Sequence, residues 1–114
     1  MTTLFGIKNC DTVRKARRWL DNANVSYTFQ DLREQPVPAA TLEAWLQQVG
    51  EATLLNTRST TWRNLPAADK GERTVPRTIQ LLQQHPTLIK RPVLVHSNGI
   101  EVGFKDSRYA ELFA

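Results

Sequence analysis

Gly6-Ile7-Lys8-Asn9-Cys10-Asp11-Thr12-Val13-Arg14-Lys15 decides how this chain reads. An apolar stretch, Leu4-Phe5-Gly6-Ile7, runs into it and predicts a strand over Thr3 to Ile7. A helical pattern leaves it. Val13, Ala16, Leu20 and Ala23 recur at spacings of three and four, which predicts a helix over Asp11 to Ala23 with Asp11 as its cap. Cys10, the only cysteine in the protein, therefore falls between a strand and the first turn of a helix. Backbone N–H groups at a helix start lack intrahelical partners, and the helix dipole is positive there, so the position favours an anion. A thiolate is such an anion. Lys8, Arg14 and Lys15 add positive charge, and Asp11 opposes them. A lone cysteine is more often a small buried hydrophobe. The polar, cationic neighbours point instead to a reactive thiol.

The rest of the composition narrows the choices. A length of 114 residues suits one domain with a modest core, expected over 1–114. Apolar residues make up 40% and charged residues 23%, the balance of an ordinary globular chain. No apolar run is long enough to span a bilayer, and the N-terminus has no basic-then-apolar leader, so a cytoplasmic location is expected. One cysteine excludes an internal disulfide and a cysteine-rich zinc site. His85 and His96 lack ligand spacing, so no metal is expected. The net charge of +4 is spread along the chain without a basic tail or an aromatic-basic motif, which argues against nucleic acid.

Further along, Val25 to Gln30 alternates apolar and polar and predicts a second strand. A polar loop over Asp31 to Val37 follows, then a helix over Ala39 to Val49 closed by Gly50. A short helix is expected near Thr60 to Leu65. Thr74 can cap a longer helix with Pro76 in its first turn, facing inward through Ile79, Leu82 and Val75 and stopped by His85-Pro86. Pro92 to His96 reads as a strand, Asn98-Gly99 as a hairpin turn, and Ile100 to Phe104 as the returning strand. Asp106 is expected to cap a last helix over Ser107 to Phe113. Strands one and two, joined by a helix, should be parallel; the last two should form an antiparallel hairpin. The expected fold is α/β with a four-stranded mixed sheet.

A β-α-β half, a helical insertion over about residues 37–86 and a β-β-α half is the plan of the thioredoxin fold. Within it the chain resembles the arsenate reductase (ArsC) family over nearly its whole length, most closely the YffB branch and more distantly the Spx branch. The likeness rests on Asn9-Cys10-Asp11-Thr12, on Leu54-Leu55-Asn56-Thr57-Arg58, and most specifically on His85-Pro86-Thr87-Leu88-Ile89-Lys90-Arg91-Pro92-Val93-Leu94-Val95. The resemblance implies that Cys10 is the nucleophile, that Arg91 holds an anion at the Cys10 loop, and that Arg58 supplies a second cation. It implies a cis bond between Arg91 and Pro92. Lys8, Asn9, Asp11, Thr12, Val13, Pro92 and Lys105 complete the expected anion-binding set.

Two departures from the family pattern bear on substrate. Val13 stands where a Cys-x-x-Cys pair would place its second cysteine, so an external thiol must resolve any mixed disulfide on Cys10. Lys105 stands where the arsenate reductases carry a third arginine, and it keeps the charge without the planar fork. The resemblance therefore implies a glutathione-dependent thiol–disulfide oxidoreductase with no bound cofactor and glutathione as co-substrate. It is expected to be a monomer, with glutaredoxin as a candidate protein partner. An arsenate reductase coupled to glutathione or glutaredoxin is the first alternative. The second is a non-enzymatic, Spx-like transcriptional regulator that binds RNA polymerase, although this chain lacks the second cysteine of the Spx switch.

Overall fold

The structure is a computed structural model and describes residues 2–71 and 74–114. The described residues form four strands and six helices, gathered into two compact units. One unit runs to Gln35 and resumes at Arg91–Ala114; the other is Pro36–Lys90.

The first unit carries the sheet. Strand β1 (Thr3–Gly6) is central: it pairs in parallel with β2 (Thr28–Asp31) and antiparallel with β3 (Val93–His96). Strand β4 (Gly99–Val102) pairs antiparallel with β3, giving the order β2-β1-β3-β4. This is the expected four-stranded mixed sheet. Leu4 lies directly across from Leu94, so both point to one face. Helix α1 (Asp11–Asn22) lays Ala16 and Leu20 on that face, and α6 (Asp106–Leu112) adds Tyr109; all five side chains are fully buried. Burying a leucine side chain contributes about 1.5–3 kcal/mol before entropy is counted. Tyr109 meets the rings of Trp19 and Phe104 edge-on, at 5.6 and 4.8 Å between centroids.

The elements depart from expectation where the backbone is used for something else. The second strand begins at Thr28, not Val25, because Asn24 (φ 58°) and Val25 close α1. Their N–H groups donate to the carbonyls of Asp21 and Leu20. Pairing starts only when Thr28 N–H reaches the Thr2 carbonyl. The fourth strand stops at Val102, because Gly103 turns away at φ +84° while its N–H donates to the Pro92 carbonyl at 2.8 Å. Neither Asp11 nor Asp106 is a cap. Cys10 and Lys105 occupy those positions, and the aspartates sit in the first turns, where negative charge suits the dipole.

The second unit is helical. Helix α2 (Ala39–Val49) buries Leu42 and Trp45, and Gly50 ends it at φ 82°. A single helical turn, α3 (Glu51–Leu54), follows, then α4 (Thr60–Asn64) and α5 (Val75–Gln84), with short 3-10 turns at Ala67–Lys70 and Pro86–Leu88. Helix α5 buries Thr78, Leu81 and Leu82, while Val75 at its start is 52% exposed rather than inward. Two of the motifs singled out in the sequence pair with each other here. Leu55 bridges Ile89, Asn56 N–H donates to the Leu88 carbonyl at 2.7 Å, and Lys90 N–H donates to the Leu54 carbonyl at 2.8 Å.

Candidate active site

Strand β1 leaves the sheet after Gly6, and two turn residues, Lys8 and Asn9, lead to Cys10. Cys10 is the N-cap residue of α1, with the extended backbone (φ −123°, ψ 124°) usual for that position. Its carbonyl accepts the first helical hydrogen bond, from Arg14 N–H at 2.9 Å. Its side chain makes no capping bond; the thiol is free and half-buried. Gly6 makes this approach possible. A β-carbon at Gly6 would stand 2.8 and 2.9 Å from the two methyl carbons of Val13, inside the contact limit. The helix start is thus packed directly onto the end of β1.

Arg91 and Pro92 arrive at the same end of the sheet. Phe5 is level with Val93, so continuing the antiparallel register one step puts Gly6 level with Pro92. The Arg91–Pro92 bond is cis, Pro92 is buried and Arg91 half-buried. Gly103 is tied to the Pro92 carbonyl, which brings the following Phe104 and Lys105 to this end as well. Lys105 is exposed and its carbonyl starts α6, accepting from Arg108 and Tyr109 N–H. It lines a cavity of about 460 Å³, with Glu101, Phe104 and Arg108 among its walls.

The remaining candidates divide. Asn9, Asp11 and Thr12 are exposed around the helix start. Val13 is fully buried, so only its backbone is left to meet a ligand. Two of the charges expected to act on Cys10 are already paired: Lys8 Nζ lies 3.0 Å from Glu34, and Arg14 lies 2.8 Å from Asp11. Exposed pairs of this kind exchange readily with solvent and contribute little stability. Arg58 belongs to the helical unit. It is exposed before α4, its N–H donates to Asn56 Oδ1, and its carbonyl accepts from the Arg63 guanidinium. Among the described residues, no three His, Cys, Asp or Glu side chains gather as a metal site.

Sequence reasoning passed over Asp31, which it assigned to a polar loop. Asp31 is buried at the end of β2, level with Gly6. Its Oδ1 accepts from Arg33 and Glu34 N–H at 2.8 and 3.2 Å, and its Oδ2 accepts from Lys8 N–H at 3.2 Å. Desolvation pushes the carboxyl pKa up, but the three N–H donors and the Lys8 charge outweigh it and leave the group below its ordinary value. The available signal was an aspartate closing an apolar strand ahead of a turn, where its side chain can hold the backbone two residues on.

A thioredoxin-like sheet with one free cysteine at the first turn of its first helix, and a cis-proline strand entering beside it, defines a class of thiol-bearing α/β proteins. The chain belongs to the ArsC family, whose profile matches residues 5–112. The solved structure of the YffB protein superposes with a TM-score of 0.95 at 39% identity, covering 100% of both chains. An arsenate reductase (ArsC) related protein from Brucella melitensis shares 38% identity and a TM-score of 0.75, over 98% of this chain and 93% of that one. The global transcriptional regulator Spx of Listeria innocua is 26% identical over 108 residues, 93% of this chain and 82% of that protein. No helix among the described residues is long and apolar enough to cross a membrane.

Proposed function

We propose that this protein is a cytoplasmic, glutathione-dependent thiol–disulfide oxidoreductase working through Cys10. The observation that carries the reading is the free Cys10 thiol at the first turn of α1 with no capping bond of its own. The Cys10 thiolate attacks the glutathione sulfur of a glutathionylated thiol. A new S–S bond forms between Cys10 and glutathione, the old S–S bond breaks, and the substrate leaves as a thiolate that takes a proton from water. A second glutathione, or glutaredoxin, then attacks the glutathione sulfur of the mixed disulfide. Cys10 is released as thiolate, and oxidised glutathione or glutathionylated glutaredoxin departs; the one thiol consumed is that of the incoming glutathione or glutaredoxin, because the first glutathione arrives already bound in a disulfide. An external thiol is required because the protein has one cysteine. Arg91, at the adjoining start of β3, and Lys105, after β4, are the cations of the first unit proposed to meet a glutathione carboxylate.

Arsenate is the second reading, favoured by the arsenate reductase related neighbour. Lys105 weighs against efficient arsenate reduction. A tetrahedral oxyanion is best held by forked guanidinium groups that each donate two parallel bonds, whereas an ammonium is a point charge. The test is kcat/KM for a glutathionylated substrate and for arsenate, in wild type, Lys105→Arg and Arg91→Ala. Wild type is expected to turn over the disulfide and to reduce arsenate poorly. Lys105→Arg should raise arsenate turnover and change disulfide turnover less, and Arg91→Ala should damage both. Efficient wild-type arsenate turnover, unimproved by Lys105→Arg, would replace the disulfide reading with the arsenate one.

A further inference from the structure

We infer that Asp31 is a positioning residue for the thiol: through its hydrogen bond to Lys8 N–H it fixes the Lys8-Asn9 turn that sets Cys10 at the start of α1. The inference rests on the reading of Cys10 as the reacting group. Backbone pairing between β1 and β2 ends with Leu32 N–H donating to the Gly6 carbonyl at 2.8 Å. Beyond Gly6 no strand partner accompanies the chain to Cys10. Asp31 Oδ2 takes over there, as a side-chain continuation of the ladder, by accepting Lys8 N–H. The carboxylate cannot swing away to serve Lys8 alone. Its other oxygen is held by Arg33 and Glu34 N–H, and its own carbonyl accepts from Gln35 N–H at 2.9 Å. One buried group therefore joins the β2 exit to the turn before the cysteine, and Gly6 against Val13 joins β1 to the turn after it.

Asparagine is the sharp substitution. It keeps the size of Asp31, but its second polar atom is an NH2 group. Whichever way the amide is turned, an N–H faces an N–H, at Lys8 or at the Arg33–Glu34 pair, so one of the ties is lost. A reacting group displaced by about 1 Å can lose on the order of a hundredfold in rate. The charged groups around Asp31 are Lys8 from the β1–α1 turn and Arg33 and Glu34 from its own loop. Of these only Glu34 is a second carboxylate, and Glu34→Gln removes it while leaving all three backbone donors in place.

The experiment compares wild type, Asp31→Asn and Glu34→Gln. Cys10 alkylation by iodoacetamide and steady-state turnover of a glutathionylated substrate are measured well below each melting temperature. Asp31→Asn should lower kcat roughly 10- to 100-fold with KM little changed, and should alter the alkylation rate; Glu34→Gln, which keeps all three donors and only unpairs the exposed Lys8 ammonium, should leave kcat unchanged and alter alkylation far less. In wild type and Glu34→Gln, the amide proton resonances of Lys8, Arg33 and Glu34 should shift together on acidification, with a midpoint below the ordinary carboxylate value, and the Cys10 amide should move with them. Alkylation and kcat unchanged in Asp31→Asn, whatever its stability, would overturn the inference. If Asp31→Asn does not fold, the wild-type titration decides alone, and a Cys10 amide that stays still while the other three move overturns it. Alkylation and amide shifts do not depend on disulfide chemistry. A wild type with no disulfide turnover would therefore sink the functional reading while the positioning result stood or fell separately.

Discussion

Among the described residues, three helices begin on a short polar side chain, and they begin differently. Ser59 Oγ accepts Trp62 N–H at 3.1 Å and closes the start of α4. Thr74 Oγ1 accepts Arg77 N–H at 3.3 Å and does the same for α5. Cys10 holds the corresponding place on α1, in an extended backbone conformation suited to capping, yet its sulfur makes no such bond. In the helical unit the cap residue satisfies the helix. In the sheet unit the cap residue leaves the helix start open and carries a free thiol there. The difference teaches what to expect of substitutions: at Thr74 stability alone is at stake, and at Cys10 stability and chemistry move in opposite directions.

The largest stability effect should come from crowding the open start. Gly6→Ala places a methyl group against Val13, a stiff side chain that is fully buried. Overpacking of this kind costs about 1–3 kcal/mol and should push the first turn of α1 away from β1. Thermal melts and Cys10 alkylation should both register it. Adding Val13→Ala should recover the alkylation rate, since the two atoms inside 3.0 Å are the methyl carbons it removes. If Gly6→Ala leaves both unchanged, the close seating of the helix start does not govern the thiol.

A smaller loss should follow Thr74→Ala. Removing a capping hydroxyl costs about 1 kcal/mol, a fall of roughly 4 °C in Tm for a chain of this size. Cys10 alkylation should not change. Smallest of all should be the stability change in Cys10→Ser. Serine caps well in the backbone conformation that Cys10 already has, so Tm should hold or rise by a few degrees even as all thiol chemistry disappears. A marked fall in Tm would show that the sulfur is a packing element and would break the contrast with Thr74.

Much of the framework was legible because local signals and the sheet agree. Val13, Ala16 and Leu20 form the buried stripe of α1 as their spacing predicts, and Gly50 and Thr74 mark the boundaries they should, while the hairpin turn falls one residue early, on Ser97-Asn98, with Gly99 already paired to His96. Strand β2 was misplaced because Val25 looks like a strand residue but gives its N–H to the end of α1. Periodicity counts side chains and does not record where the backbone bonds go. The cysteine and its helix start were legible from a ten-residue stretch. Asp31 was not, because its partner Lys8 lies 23 residues away and the bond is to a backbone N–H that carries no sequence signal. The charges around Cys10 were legible one by one, but not their pairing across the fold: Lys8 and Arg14 each face a carboxylate, Glu34 and Asp11.

The sulfur of Cys10 is proposed as the reacting atom and glutathione as its partner. Intact mass spectrometry of wild type and Cys10→Ser after exposure to oxidised glutathione tests this most directly. Wild type should gain the mass of a single glutathione and lose it again with excess thiol, and Cys10→Ser should gain nothing. A wild-type chain whose mass does not move, under conditions where iodoacetamide does reach Cys10, would contradict the account.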